Sequence, residues 1–70
     1  MPTFCVNSIA QSNGDHEVHD VTANKSCLPT PANRVDLGYH GGCSSAVQAA
    51  KNHFRQVNGC RWCAPACHTS

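Results

Sequence analysis

Large apolar side chains are scarce in this chain. Its 70 residues include one Trp, one Tyr, one Met and two Phe, so the core they can build is small. Cores of that size rarely supply more than a few kcal/mol without a staple. Charge is scarce too: Asp, Glu, Lys and Arg make up 13% of the chain, about half of the roughly 25% found in ordinary domains. The net charge is +1. Lys25, Arg34, Lys51, Arg55 and Arg61 are dispersed along the sequence, which argues against the basic stripe of a dedicated nucleic-acid binder. No apolar run is long enough to span a membrane. The opening residues "MPTFCVNSIAQ" have neither the basic region nor the apolar run of a signal peptide. With Met1 as the natural start, a cytoplasmic protein is expected. If the chain is a trimmed secreted domain, that expectation reverses. There are no repeats, no low-complexity tract and no linker, so residues 1–70 read as a single small domain.

Sulfur and imidazole are abundant instead. Six cysteines and five histidines mark a fold held by disulfides or by a metal ion. Compartment decides between the two: reducing surroundings favour metal, oxidising ones favour disulfides. The densest stretch is the tail "GCRWCAPACHTS", with the spacing Cys60-x2-Cys63-x3-Cys67-His68.

The coarse pattern is α+β. Residues 3–9, "TFCVNSI", read as a strand. Asn13-Gly14 is a strong short-range hairpin signal. "HEVHDVT" at 16–22 alternates, with Glu17, His19 and Val21 on one face and His16, Val18 and Asp20 on the other. "ANKSCLPTPANR" reads as a loop because proline, asparagine and serine interrupt regular structure. "VDLGYH" at 35–40 is a candidate third strand. In "SSAVQAAKNHFRQV" the apolar Val47, Ala50, Phe54 and Val57 share one helical face. A helix is therefore predicted over about 44–57, opened by a capping box of Ser45 and Gln48 and stopped by Asn58-Gly59. Its Val47, Ala50, Phe54 and Val57 are expected to pack on Phe4, Val6, Val18, Val21 and Leu37.

Cys60-x2-Cys63, preceded by Asn-Gly and followed by Ala-Pro, is a knuckle that can give a tetrahedral metal two of its four ligands. The spacing leaves two candidates for the other pair: His40 with Cys43, or His19 with Cys27. Cys67 and His68 could replace a member of either set. Blander readings compete with these. The cysteines could all be disulfide partners. Cys60-Arg-Trp-Cys63 could be a redox pair, although such a motif should precede a helix in a βαβ unit. His53 reads as a helix-surface residue and His16 as a strand-face residue. Asp15 and Glu17 read as hairpin surface, and no catalytic set stands out.

The order of His19, Cys27, "NRVDL", the helix with "SSAVQAA" and "NGCRWCAP" resembles the metal-binding domain of Ada-type DNA repair proteins. The likeness spans about residues 16–65 and rests mainly on the knuckle. It implies a zinc site with Cys60 and Cys63 as one ligand pair and Cys27 and His19 as the other. The family's early pair is two closely spaced cysteines, where this chain has His19-x7-Cys27. One cysteine of that family accepts a methyl group from DNA, but these residues carry no basic patch and no DNA-binding helical domain, so that activity is not carried over. The whole chain also looks like small cysteine-rich bacterial proteins that end in "CHTS", a likeness that supplies no function.

The expectation is thus a small α+β domain: an N-terminal β-hairpin, with a candidate third strand, packed on one helix. A structural Zn2+ bound by His19, Cys27, Cys60 and Cys63 staples it, and Cys43 and Cys67, outside that quartet, are a candidate disulfide. The leading function is a monomeric, non-enzymatic zinc-binding module with no membrane contact, serving as an adaptor or a nucleic-acid accessory. The alternatives are a disulfide-stapled secreted or surface protein and a thiol redox or alkyl-accepting protein.

Overall fold

The two alternating segments at the N-terminus pair as the pattern requires. A computed structural model of the chain describes residues 2–69. Strands β1 (Thr3–Asn7) and β2 (His16–Asp20) run antiparallel. Val6 faces Val18 and Cys5 faces His19 across the pair. Alternation sends the valines to one face and Cys5 and His19 to the other. Both expected strands are shorter than their apolar patterns. β1 stops where the Asn7 side chain accepts a hydrogen bond from the Ile9 amide (2.9 Å). β2 stops where Asp20 accepts one from the Thr22 amide (3.0 Å) and opens a 3-10 turn, Val21–Ala23. Val21 accordingly sits half-buried in that turn, outside the central core.

Strand β3 (Arg34–Tyr39) adds antiparallel to the other edge of β1. The pairing jumps between Phe4↔Gly38 and Cys5↔Asp36, so Leu37 is left out of register as a bulge. Gly38 takes φ +81°, a left-handed conformation that glycine adopts without steric cost, and its amide donates to the Asp36 carboxylate (3.0 Å).

Helix α1 (Cys43–Ala50) has 8 residues and ends seven positions before the expected stop at about 57. Beyond Ala50 the chain tightens: the amides of both His53 and Phe54 donate to the Ala50 carbonyl (2.9 and 3.0 Å). Phe54 then stacks on His16, with ring centroids 3.8 Å apart and nearly parallel planes. Residues Val57–Gly59 form β4, which runs parallel to β2. The spacing of Phe54 and Val57 suits a helix, but their burial is reached by a turn and a strand. The extended conformation also gains backbone bonds to β2, His16 N–H to Gln56 O (3.0 Å) and Cys60 N–H to Val18 O (2.8 Å). Asn58-Gly59 is therefore strand, not helix stop. The expected capping box is not formed either. Gly42 is the N-cap and makes no side-chain cap bond, while the Ser45 hydroxyl donates to the Gly42 carbonyl (3.4 Å).

The sheet order is β3-β1-β2-β4. Phe4, Val6, Val18, Ala46 and Ala50 form the buried core, with Val35, Leu37, Val47, Phe54 and Val57 packed around it. Two alanines form the helix's contribution to the buried center, so the helix lies close to the sheet and little apolar volume is enclosed. Covalent closure supplements it. Cys43, in the first turn of α1, forms a disulfide with Cys67 in the C-terminal 3-10 turn Pro65–Cys67. The chain-entropy relation for a loop of 24 residues gives about 3.5 kcal/mol of stabilisation.

Candidate metal centre

Three segments converge to bring four donor side chains together. His19 comes from β2, Cys27 from the loop that follows the Val21–Ala23 turn, and Cys60 and Cys63 from the turn after β4. One donor atom from each lies within 4.8 Å of every other. The knuckle closes because the Ala64 amide donates to the Cys60 carbonyl (2.9 Å) and the Trp62 amide points at Cys60 Sγ (3.4 Å). β4 brings this turn to β2, since the Cys60 amide bonds to Val18 and the Asp20 amide donates to Cys63 Sγ (3.3 Å). Lys25 holds the loop against the knuckle by donating to the Trp62 carbonyl (2.9 Å). Amide donors aimed at sulfur favour its anionic form.

His19 is almost fully buried, at 1% exposed. Its Nδ1 lies 3.4 Å from Cys63 Sγ. Its Nε2 is buried without a hydrogen-bond partner, and the nearest carboxylate, Glu17 Oε1, stands 3.9 Å away. Burial, aided by the positive charge of Arg34, pushes the His19 pKa down and keeps the imidazole neutral, as a ligand must be. Burial pushes the Cys63 thiol up, against the Asp20 amide, and the neighbouring Cys27 and Cys60 add to the rise. The Cys27 thiol is also raised, first by burial. With no cation bound, burial thus disfavours the charged forms of Cys27, Cys63 and His19. A divalent cation held by these donors would favour the thiolate form.

The other candidate ligands lie elsewhere. His40 is saturated, with Nδ1 against Ser45 Oγ (2.9 Å) and Nε2 against the Leu37 carbonyl (2.8 Å). Cys43 and Cys67 are consumed by the disulfide. His68 Nδ1 donates to the Gly59 carbonyl (3.1 Å). His16 is stacked on Phe54 and His53 is exposed. Asp15 anchors the hairpin loop to β4 by accepting from Gln56 Nε2 (2.7 Å) and Asn58 Nδ2 (3.4 Å).

Three features escaped the sequence reading. Glu17 looked like hairpin surface, yet it is the carboxylate nearest the buried imidazole nitrogen. The i−2 spacing to His19 on the same strand face was the available signal. Cys5 is a free, buried cysteine opposite His19, and its thiol is raised by burial. Finally, an open cleft of about 440 Å³ lined by Lys25, Ser26, Cys27 and Trp62 borders the cluster. Trp62 is 62% exposed there, and the Arg61 guanidinium lies 5.1 Å from its ring centroid. Among the described residues no helix is long and apolar enough to cross a membrane. The chain matches no protein-family model, no curated protein and no solved structure.

Proposed function

We propose that the chain is a non-enzymatic zinc-binding module whose structural ion is held by His19, Cys27, Cys60 and Cys63. The observation that carries the reading is the mutual approach of these four donors within 4.8 Å. Tetrahedral zinc with ordinary bond lengths separates two sulfurs by about 3.8 Å and a sulfur from a nitrogen by about 3.6 Å. The 3.4 Å between His19 Nδ1 and Cys63 Sγ is close to the second value. Three thiolates and one imidazole suit zinc over harder cations, which prefer oxygen ligands. Four protein ligands leave no open position, which makes the role structural. The same set is implied by the likeness to Ada-type zinc domains, which we retain as part of this reading.

A structural zinc of this kind contributes about 10–16 kcal/mol of apparent binding free energy at neutral pH. That exceeds what the thin core and one disulfide supply together. The site ties strand, loop and knuckle into one unit and presents Trp62, Arg61 and Lys25 on its outer side. An exposed aromatic flanked by two cations supports an adaptor or nucleic-acid accessory role, since such groups are enriched where proteins meet partners or stacked bases.

Native mass spectrometry of protein purified without chelator tests the reading. The expected result is one zinc per chain, one disulfide and four titratable thiols after denaturation. Cys60→Ser should abolish the bound zinc or weaken its retention against a competing chelator. A metal-free protein that folds equally well in chelator refutes it. A disulfide-stapled secreted protein is the second reading, and the Cys43–Cys67 bond favours it. Against it, Cys5, Cys27, Cys60 and Cys63 are free, so the structure has one bridge and not three.

A further inference from the structure

The four donors are unequal in their access to solvent. His19 is 1% exposed and Cys60 is 1% exposed, whereas Cys27 is partly exposed and forms part of the wall of the cleft with Lys25, Ser26 and Trp62. Cys63 is also partly exposed, but it is not among the cleft residues. A small molecule entering this cleft therefore meets Cys27 first. Behind it stand two further sulfurs, with every donor within 4.8 Å of every other. Lys25 adds a cation at the cleft wall, although its ammonium is already bonded to the Trp62 carbonyl. Neither ordinary surface cysteines nor buried zinc knuckles combine an entrance with a second thiol at closing distance.

We propose that Cys27 is a modification site for a peroxide-class oxidant, and that its oxidation opens the metal centre by a disulfide to Cys60 or Cys63. The inference rests on the zinc reading above. Thiolate, not thiol, is the nucleophile toward peroxide, and metal-bound cysteine is already thiolate. The Cys27 sulfur attacks one peroxide oxygen and the O–O bond breaks. One oxygen stays on sulfur as sulfenate, and the other leaves as hydroxide, which takes up a proton to become water. The second cysteine sulfur then attacks the Cys27 sulfur and expels the remaining oxygen as water. In balance, two thiolates, one hydrogen peroxide and two protons taken from solvent give one disulfide and two waters. The two sulfurs lose two electrons and the peroxide gains them. The zinc ion does not change oxidation state. It leaves because two of its three anionic donors have become a neutral disulfide.

The chain allows a direct readout. Trypsin cuts after Lys25, Arg34, Lys51, Arg55 and Arg61, so Cys27, Cys60 and Cys63 fall in three different peptides. The experiment starts from the full chain with its zinc content fixed by native mass spectrometry. Hydrogen peroxide is added below one equivalent, released zinc is read with a colorimetric chelator, and the first disulfide formed in addition to Cys43–Cys67 is mapped after blocking the remaining thiols. The expected result is one zinc lost per peroxide consumed, with Cys27 in the first disulfide. A first disulfide between Cys60 and Cys63, or zinc retained while peroxide is consumed elsewhere, overturns the proposal. If the protein carries no zinc at the outset, the zinc reading fails. The access claim is then decided by limiting N-ethylmaleimide on the same folded protein, where Cys27 should be labelled first among the free thiols and a different first site overturns it. No variant is required, so loss of folding in a cysteine mutant cannot mask the outcome.

Discussion

Replacing Gly59 with alanine should damage this protein more than a single methyl group suggests, and the damage should depend on a bond elsewhere. Gly59 is the last residue of β4 and is buried. A Cβ placed there would stand 2.7 Å from both the carbonyl carbon and Cβ of Cys67, and 2.9 Å from its carbonyl oxygen. Two of those atoms are backbone, so no side-chain rotation relieves the clash. Cys67 cannot easily retreat, because it is bonded to Cys43 in α1. His68 and Thr69 hold the same segment against β4 through the Gly59 carbonyl and the Asn58 side chain (3.1 and 3.0 Å). Overpacking of a fixed site costs about 1–3 kcal/mol, and an immobile backbone partner puts Gly59→Ala in the upper half of that range. For a domain of this size about 2–3 kcal/mol corresponds to a fall in Tm of roughly 10–20 °C. The assay is thermal unfolding by circular dichroism at matched metal content, in the wild-type background and in Cys43→Ser/Cys67→Ser. Without the bridge the tail can move aside, so the cost of Gly59→Ala should shrink by about 1 kcal/mol or more, the coupling expected of groups in contact. A cost below about 0.5 kcal/mol, the level of an uninvolved surface site, refutes the packing argument. An equal cost in both backgrounds refutes the role of the disulfide in it.

Three other outcomes follow from the same geometry. Cys43→Ser/Cys67→Ser alone should lose about 3–4 kcal/mol by urea unfolding, the loop-closure value for its 24-residue separation. Glu17→Gln removes the carboxylate 3.9 Å from His19 Nε2, which is too far for a hydrogen bond, so it should weaken zinc retention in chelator competition by no more than about 10-fold, the low end for a hydrogen-bonded partner of a ligating histidine. The metal-free protein should also lose stability in acid. The unfolded chain's His19 takes up a proton near its ordinary pKa of 6.5, whereas the folded side chain resists until lower pH because burial depresses its pKa. The unfolded state therefore binds more protons in that window, and stability present above pH 6.5 is lost as pH falls through it. Urea midpoints between pH 7.5 and 5 read this directly, and His19→Asn should flatten the trend.

Much of the site was legible because its chemistry is local. The Cys60-x2-Cys63 knuckle declares half a tetrahedron by spacing alone. The strand alternation in "HEVHDVT" places His19 and Val18 on opposite faces, and the structure buries both. Which pair completes the cluster was less accessible. His40-x2-Cys43 has the more familiar spacing, but the Leu37 carbonyl and the Ser45 hydroxyl already occupy both nitrogens of the His40 ring and the helix carries Cys43 to Cys67. Both facts depend on contacts between segments distant in sequence. The helix end was misread for a related reason. Val47, Ala50, Phe54 and Val57 repeat at helical intervals, yet the competing reward is a parallel pairing of β4 with β2, 41 positions away at His16↔Val57. Local periodicity carries no information about that partner. Ala46 went unnoticed in the core because a small side chain gives little hydrophobic signal, and its smallness is what lets the helix approach the sheet.

The bulge at Leu37 and Gly38 bears on how copies of this protein treat one another. The sheet has two open edges, β3 and β4, and an open edge invites strand addition from a second molecule. On β3 the bulge interrupts the regular row of donors and acceptors, and Asp36 occupies the Gly38 amide. The charged Arg34 and Asp36 lie along the same strand. On β4 there are three residues, and the Asn58 side chain is already engaged by Thr69. Neither edge presents a long, flat template, so strand addition between copies of this thin-cored chain is disfavoured on both sides of the sheet.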